Sequence, residues 1–281
     1  HHSHTTTNRA LETPQPPFSA GSAAAPASHN AAYWSIATSM RSDTQALSAV
    51  QDALGLGAGK VDTAYTAITD IKDQVDAIKA KLVTARGASQ DNQQKIATEI
   101  KAIQEQIKSS VTNASYAGSN LLQNDGLAAS DLQIVASYNR TGTTVAIDTI
   151  NVAAADTQVL DIAGTGGIVG GLLATTFFDP SAAAVTDTAI DTALGSVETA
   201  LAKLSTGAAY LGAAKSRVDT QKSFLSNLSD SIDKGVGALV DADMNKESTR
   251  LQALQVQQQL GIQALSIANG NSQSILALFK N

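Results

Sequence analysis

Five large aliphatic side chains recur at intervals of seven: Leu211, Val218, Leu225, Ile232 and Leu239. A seven-residue repeat keeps one stripe of an α-helix facing a partner helix, because it matches two helical turns almost perfectly. Ala214 and Leu228 fall between the sevens and serve the alternate position of the same stripe. A chain carrying such a stripe has to bury it, and a second helix is the surface that fits. The spacing therefore predicts a mainly α, coiled-coil-like bundle with these five residues as its core seam.

Other segments carry the same helical signal. Val61, Tyr65, Ile68, Ile71, Val75, Ile78 and Leu82 step by threes and fours, as one face of a helix does. Gly87 ends that pattern, and Asp91 or Asn92 caps the next helix. Its stripe is Ile96, Ile100, Ile103, Ile107 and Val111, with Glu99, Lys101, Glu105 and Lys108 facing away, and it ends near Tyr116-Ala117-Gly118. Helix returns with Ile190, Leu194, Val197, Leu201 and Leu204. Between these halves the period changes. Leu132–Val135 and Thr143–Ile147 flank Asn139-Arg140-Thr141-Gly142, a hairpin signal. The glycine-rich run from Gly164 to Gly171 reads as loop.

The C-terminal end has its own pattern. Leu254, Leu265 and Leu276 are spaced by eleven, as are Val256, Ile267 and Leu278. Eleven residues make three helical turns, so each trio lies nearly straight along a helix. Glutamines rather than charges fill the gaps, at Gln252, Gln255, Gln257, Gln258, Gln259 and Gln263. A helix apolar over so much of its girth needs other helices around it. Leu251, Leu254, Val256, Ile262, Leu265, Ile267, Leu276, Leu278 and Phe279 are accordingly the expected assembly interface.

The chain thus divides into a helical half at 29–119, a short hairpin and loop insert at 120–188, a second helical half at 189–240 and a terminal helix at 241–281. Residues 1–28 stand apart. Pro14, Pro16, Pro17 and Pro26 forbid a continuous helix, and the segment reads as disordered or tag-derived.

Composition narrows the function. The 281 residues contain no cysteine, which excludes disulfides and thiolate metal sites. A net charge of −6 with dispersed acids gives no nucleic-acid footprint. No apolar run is long enough to span a membrane, and no charged-then-apolar secretory leader precedes the body. No histidine follows His29, so a metallopeptidase HExxH is absent, and His1, His2 and His4 read as a tag rather than a zinc site. Gly164-Thr165-Gly166-Gly167 lacks the lysine and serine or threonine of a phosphate loop. Asp241 and Asp243 read as acidic residues ahead of the terminal helix, where its dipole favours them. Tyr33-Trp34 reads as helix packing, with Tyr33, Ile36 and Met40 on one face. No catalytic residue, metal site or cofactor site is expected.

The terminal segment resembles the C-terminal region of bacterial flagellins. The matching residues are Asp241-Ala242-Asp243, Glu247-Ser248, Leu251 to Leu260, Gln263 to Asn269 and Ser274 to Phe279. Asn30 to Asp62 is similar to the first core helix of short alphaproteobacterial flagellins, while residues 1–28 depart from that family's apolar first helix. The resemblance implies an elongated antiparallel helical bundle with a small hairpin insert. It implies a non-enzymatic filament subunit that assembles with itself into a helical homopolymer outside the cell, exported without a cleaved leader. Its implied partners are the export apparatus, an export chaperone, and cap and hook-associated proteins. A hook–filament junction protein and a flagellin-like surface protein binding polysaccharide are the alternative readings.

Overall fold

The computed structural model describes residues 24–245 and 257–263. Its helices are α1 (Ala24–Ala85), α2 (Gln90–Thr112), the single turn α3 (Ala154–Thr157) and α4 (Asp187–Asn245). Strands β1 (Ser115–Tyr116) and β2 (Ser119–Asn120) form one small sheet; β3 (Leu132–Thr141) and β4 (Thr144–Val152) form the other. The protein is mainly α with a small β insert. It divides into two compact units, one drawn from residues 1–55, 135–149 and 219–281, the other from 56–134 and 150–218.

In the second unit the core is aliphatic. α1 supplies Val61, Ile68, Val75 and Leu82 at sevens, with Ala64, Ile71, Ile78 and Ala85 three residues behind each, all fully buried. α4 supplies Ile190, Val197, Leu204, Leu211 and Val218 on the same period, with Ala193, Ala200 and Ala214 between. The alternation of large and small residues lets the seams interdigitate. Ion pairs fix the direction: Asp62 meets Lys215, Lys79 meets Glu198 and Arg86 meets Asp191, so α1 and α4 are antiparallel here. α2 lies antiparallel to α1 as well, with Glu99 on Lys81 and Ser110 on Asp70. These charges are solvent-exposed and stabilise little. The aliphatic seam carries the stability, at about 1.5–3 kcal/mol for each large side chain fully buried.

Three details differ from the pattern reading. Tyr65 is 38% exposed, and Ala64 takes its place in the seam. A step of four from Val61 overshoots the seam, which continues at a step of three. Ser89 caps α2, its hydroxyl accepting from the Asn92 N–H, so neither Asp91 nor Asn92 is the cap. α2 stops at Thr112, and Tyr116-Ala117-Gly118 forms the turn of the β1–β2 ribbon instead. Ala117 sits there at φ 49°, a left-handed conformation that strains an L-residue.

In the first unit the heptad persists with different chemistry. α1 buries Tyr33, Met40, Leu47 and Leu54 at sevens, and Ile36, Asp43 and Val50 at the alternate position. α4 buries Leu225, Ile232 and Leu239, with Gln221, Leu228 and Gly235 at the alternate position. α4 also runs on through Asp241 and Asp243 to Asn245. The described helix thus includes both positions, and the next described helical residues are 257–263.

The β3–β4 connection is the two-residue turn Gly142-Thr143, with Gly142 at φ 62°. This glycine-first turn suits the twist of a hairpin. Asn139 and Arg140, read from sequence as turn residues, belong to β3. Asn139 and Ser137 both donate to the Asp148 carboxylate on the facing strand.

Candidate assembly surface

Helical subunits that associate need two things: rigid helices, and outward faces that the core does not consume. The core seam named from sequence is fully consumed. Leu211, Val218, Leu225 and Ile232 are 0% exposed and Leu239 is 1% exposed.

Irregular segments are held onto these helices by buried glutamines. Gln93 on α2 donates to the carbonyls of Ala85 and Val185 and accepts the Val185 N–H at 2.7 Å. Gln104, also on α2, donates to the carbonyl of Leu172 at 2.7 Å. In the first unit, Gln221 on α4 donates to the carbonyl of Ala136 on β3 at 2.6 Å. Each amide occupies a core-facing position yet stabilises a non-helical backbone, satisfying groups that would otherwise be buried unpaired. Sequence reading missed all three, because a glutamine in a helix pattern looks like a solvated one.

A second polar anchor was also missed. Asp43 occupies a seam position of α1 and is 4% exposed. Arg140 of β3 brings a guanidinium nitrogen to 3.0 Å from it and donates to the buried Ser39 hydroxyl at 3.3 Å. The approach is ionic: neither Asp43 oxygen has a hydrogen-bond partner. Burial pushes the Asp43 carboxyl up from 3.8 to about 6, and Arg140 pulls it back only in part. Desolvation therefore outweighs the pairing.

Two side chains pack unusually close to the α1 backbone in the second unit. A Cβ at Gly57 would lie 2.6 Å from Ile134 of β3, and one at Gly59 would lie 2.6 Å from the Tyr116 ring. Glycines inside a helix are costly; here they let the β insert seat on α1.

Of the expected interface residues, Ile262 lies among the described ones. Leu251, Leu254, Val256, Leu265, Ile267, Leu276, Leu278 and Phe279 lie outside them, as do His1, His2 and His4. Residues 257–263 are helical. Gly261 is buried, and a Cβ there would meet the Met40 sulfur at 3.1 Å and Ile36 at 3.3 Å. Ile262 is half-buried, while Leu260 is 44% exposed on the other side.

The loop at Gly164–Gly167 spends its donors on itself. Backbone N–H groups of Gly166 and Thr165 hold the Asp161 carboxyl below its ordinary range. Among the described residues no cluster of three metal-ligating side chains occurs, and no helix is long and apolar enough to cross a membrane.

Comparison with known proteins agrees with this helical architecture. The chain matches the family model of the bacterial flagellin N-terminal helical region over residues 1–126, a span that includes the proline-bearing first segment. It matches the model of the bacterial flagellin C-terminal helical region over residues 194–279. It is 61% identical over 278 residues to a flagellin of Brucella melitensis, covering 98% of this chain and 93% of the relative. It is 44% identical over 301 residues to flagellin C of Rhizobium meliloti, covering 97% and 94%. A flagellin A of the same organism is 36% identical over 373 residues, covering 96% and 94%. The chain therefore belongs to the bacterial flagellins, structural and non-enzymatic proteins that self-assemble into the extracellular filament of the flagellum.

Proposed function

We propose that the terminal helix is the principal copy-to-copy contact of the filament, through Leu251, Leu254, Val256, Ile262, Leu265, Ile267, Leu276, Leu278 and Phe279. The seam Leu211, Val218, Leu225, Ile232 and Leu239 supplies buried core and not interface. The observation that carries this is the placement of residues 257–263. Gly261 seats against Ile36 and Met40, while Leu260 faces outward with 44% of its surface open. One side of the helix is thus spent inside the subunit and the other is left for a neighbour. Apolar area removed from water contributes about 25 cal/mol per Å² at every repeat, so no single contact has to be strong. On the same reading, which rests on the family resemblance, the chain meets an export apparatus and chaperone on its way out and cap and hook-associated proteins at its ends. Hydrogen exchange on purified monomer and on seeded filaments tests the interface. Protection across Leu251–Leu278 should appear on assembly. Full protection in the monomer would show that the helix is already satisfied by its own chain.

A further inference from the structure

The β3–β4 hairpin is tied to the helices of the first unit at two levels. At its base, Gln221 on α4 donates to the Ala136 carbonyl. Farther out, Arg140 brings a guanidinium nitrogen to 3.0 Å from Asp43 on α1 and donates to the Ser39 hydroxyl. Beyond Arg140 the ribbon is open: Thr141 and residues 143–147 are exposed, and Gly142 is half-buried. Among the described residues, no side-chain hydrogen bond or ion pair joins 141–147 to a helix. The outer half of the hairpin is therefore held to α1 by one polar contact.

The two ties differ in kind. The amide of Gln221 does not titrate. The Asp43 tie is ionic, since neither carboxylate oxygen has a hydrogen-bond partner. It lasts only while Asp43 is charged. Burial already works against that charge, raising the carboxyl to about 6, within reach of mild acid. A guanidinium keeps its charge throughout that range. Beside a neutral Asp43, Arg140 would hold a full charge against a dry seam, with its Nε unpartnered. Its side chain keeps 14% of its surface in water, so rotation of the long stem returns the head to solvent.

No other charge takes its place. On α1, Arg41 and Asp52 are exposed. On α4, Asp219, Asp230, Asp233, Lys234 and Asp241 are exposed and Lys222 is half-buried. Residues 257–263 carry no charge, and Asp148 on β4 is engaged by Ser137 and Asn139. Among the described residues, Arg140 is the charge that acts on Asp43.

We propose that Asp43 and Arg140 form a proton-operated latch: a proton from water neutralises Asp43, Arg140 swings out, and residues 138–147 loosen while the base at Ala136 stays tied. Nothing in the latch depends on the filament reading. Its signature is a pair of responses of opposite sign. Protonation relieves a buried charge and favours the folded chain as a whole, yet the hairpin tip opens more often.

Hydrogen exchange on the full-chain monomer between pH 7 and 4, corrected for the intrinsic pH dependence of exchange, reads the tip. Infrared spectroscopy on the same samples reads the protonated carboxyl, by a band that Asp43→Asn removes. Protection at 138–147 should fall about tenfold in acid, as for the loss of one contact to a charged group. The fall should follow the carboxyl band, with a midpoint near 6. Protection at Ala136 and along α1 should persist. The wild-type melting temperature, taken relative to Asp43→Asn, should rise over the same range. Asp43→Asn should show the loosened tip at both ends of the range, and Asp43→Leu with Arg140→Met should remove the pH dependence. A tip whose protection is unchanged while the carboxyl titrates would overturn the latch. So would a carboxyl that stays ionised to pH 4, or Asp43→Asn with wild-type protection at pH 7. Protection lost at Ala136 and along α1 together with the tip would also overturn it, because the whole unit would then be opening.

Discussion

Residues 33–54 and 61–85 of α1 carry the same seven-residue period and meet it with different chemistry. The second stretch is aliphatic at every seam position and puts its charges outside, in the pairs from Lys79 to Glu198 and from Arg86 to Asp191. The first stretch places Asp43 in the seam and ties it to Arg140, and the facing helix places Gln221 there and ties it to β3. An aliphatic seam is forgiving, since any hydrophobe of similar volume sustains it. A polar seam is conditional, because each member must keep its partner. The lesson is that one helix can supply both a robust core and an exacting one. The exacting part is where β3 brings Arg140 to Asp43 and the Ala136 carbonyl to Gln221.

The sharpest test of this contrast puts a carboxylate into each seam. Leu225→Asp in the first unit and Ile71→Asp in the second should each cost several kcal/mol, on the order of 4. Circular dichroism melting measures both; an unchanged melting curve for Leu225→Asp would remove the claim that the first unit's seam is buried.

Breaking the ion pair from one side comes next. Asp43→Ala should cost about 3–5 kcal/mol by leaving Arg140 against a dry seam, whereas Asp43→Leu with Arg140→Met should be neutral or stabilising by about 1–4 kcal/mol. Denaturant titration of the three proteins decides it. Acid sharpens the point. The folded-state value for Asp43 is about 6, above the ordinary 3.8, so protonation favours the folded state. That gain is complete below pH 3.8 and is lost as pH rises through about 6. Stability measured from pH 4 to 7 should carry this downward slope, and Asp43→Asn should flatten it.

The glutamine anchors give a smaller effect in both units. Gln93→Leu and Gln221→Leu each leave a strand or loop backbone unpaired and should cost about 1–3 kcal/mol. Hydrogen exchange should locate the loss at Val185 in one case and around Ala136 in the other. Smallest is a gain. Ala117→Gly relieves the left-handed strain of the β1–β2 turn and should add about 0.5–1 kcal/mol, read by thermal melting.

Much of the helical frame was legible. The helix class, the break at Gly87 and the presence of a hairpin follow from spacing and punctuation alone. The heptad was visible only from Leu211 to Leu239, although the buried period extends back to Ile190 and also runs from Tyr33 to Leu82. Small residues such as Ala64, Ala193 and Ala200 hide the alternate seam positions, since alanine is equally at home on a surface. Asp43, Gln93, Gln104 and Gln221 were invisible for the opposite reason. A polar residue in a helical pattern signals solvent, and only the nearness of a distant backbone reveals otherwise. Asn139 looked like a turn because its amide suits turns; in the fold that amide is spent on Asp148. The terminal interface was read from periodicity, and of its residues Ile262 alone falls among those described.

The seating of Met40 has a chemical consequence. Its side chain is fully buried, with Gly235 and Gly261 so close that a methyl group on either would fall 2.9 Å from its terminal carbon or 3.1 Å from its sulfur. Oxidation to the sulfoxide would add an oxygen where no atom fits, and would make that crossing polar. A filament works outside the cell. The chain has no cysteine and only one other methionine. One of its two sulfurs is thus held at a sealed position, and the time before folding is when that sulfur is open to attack.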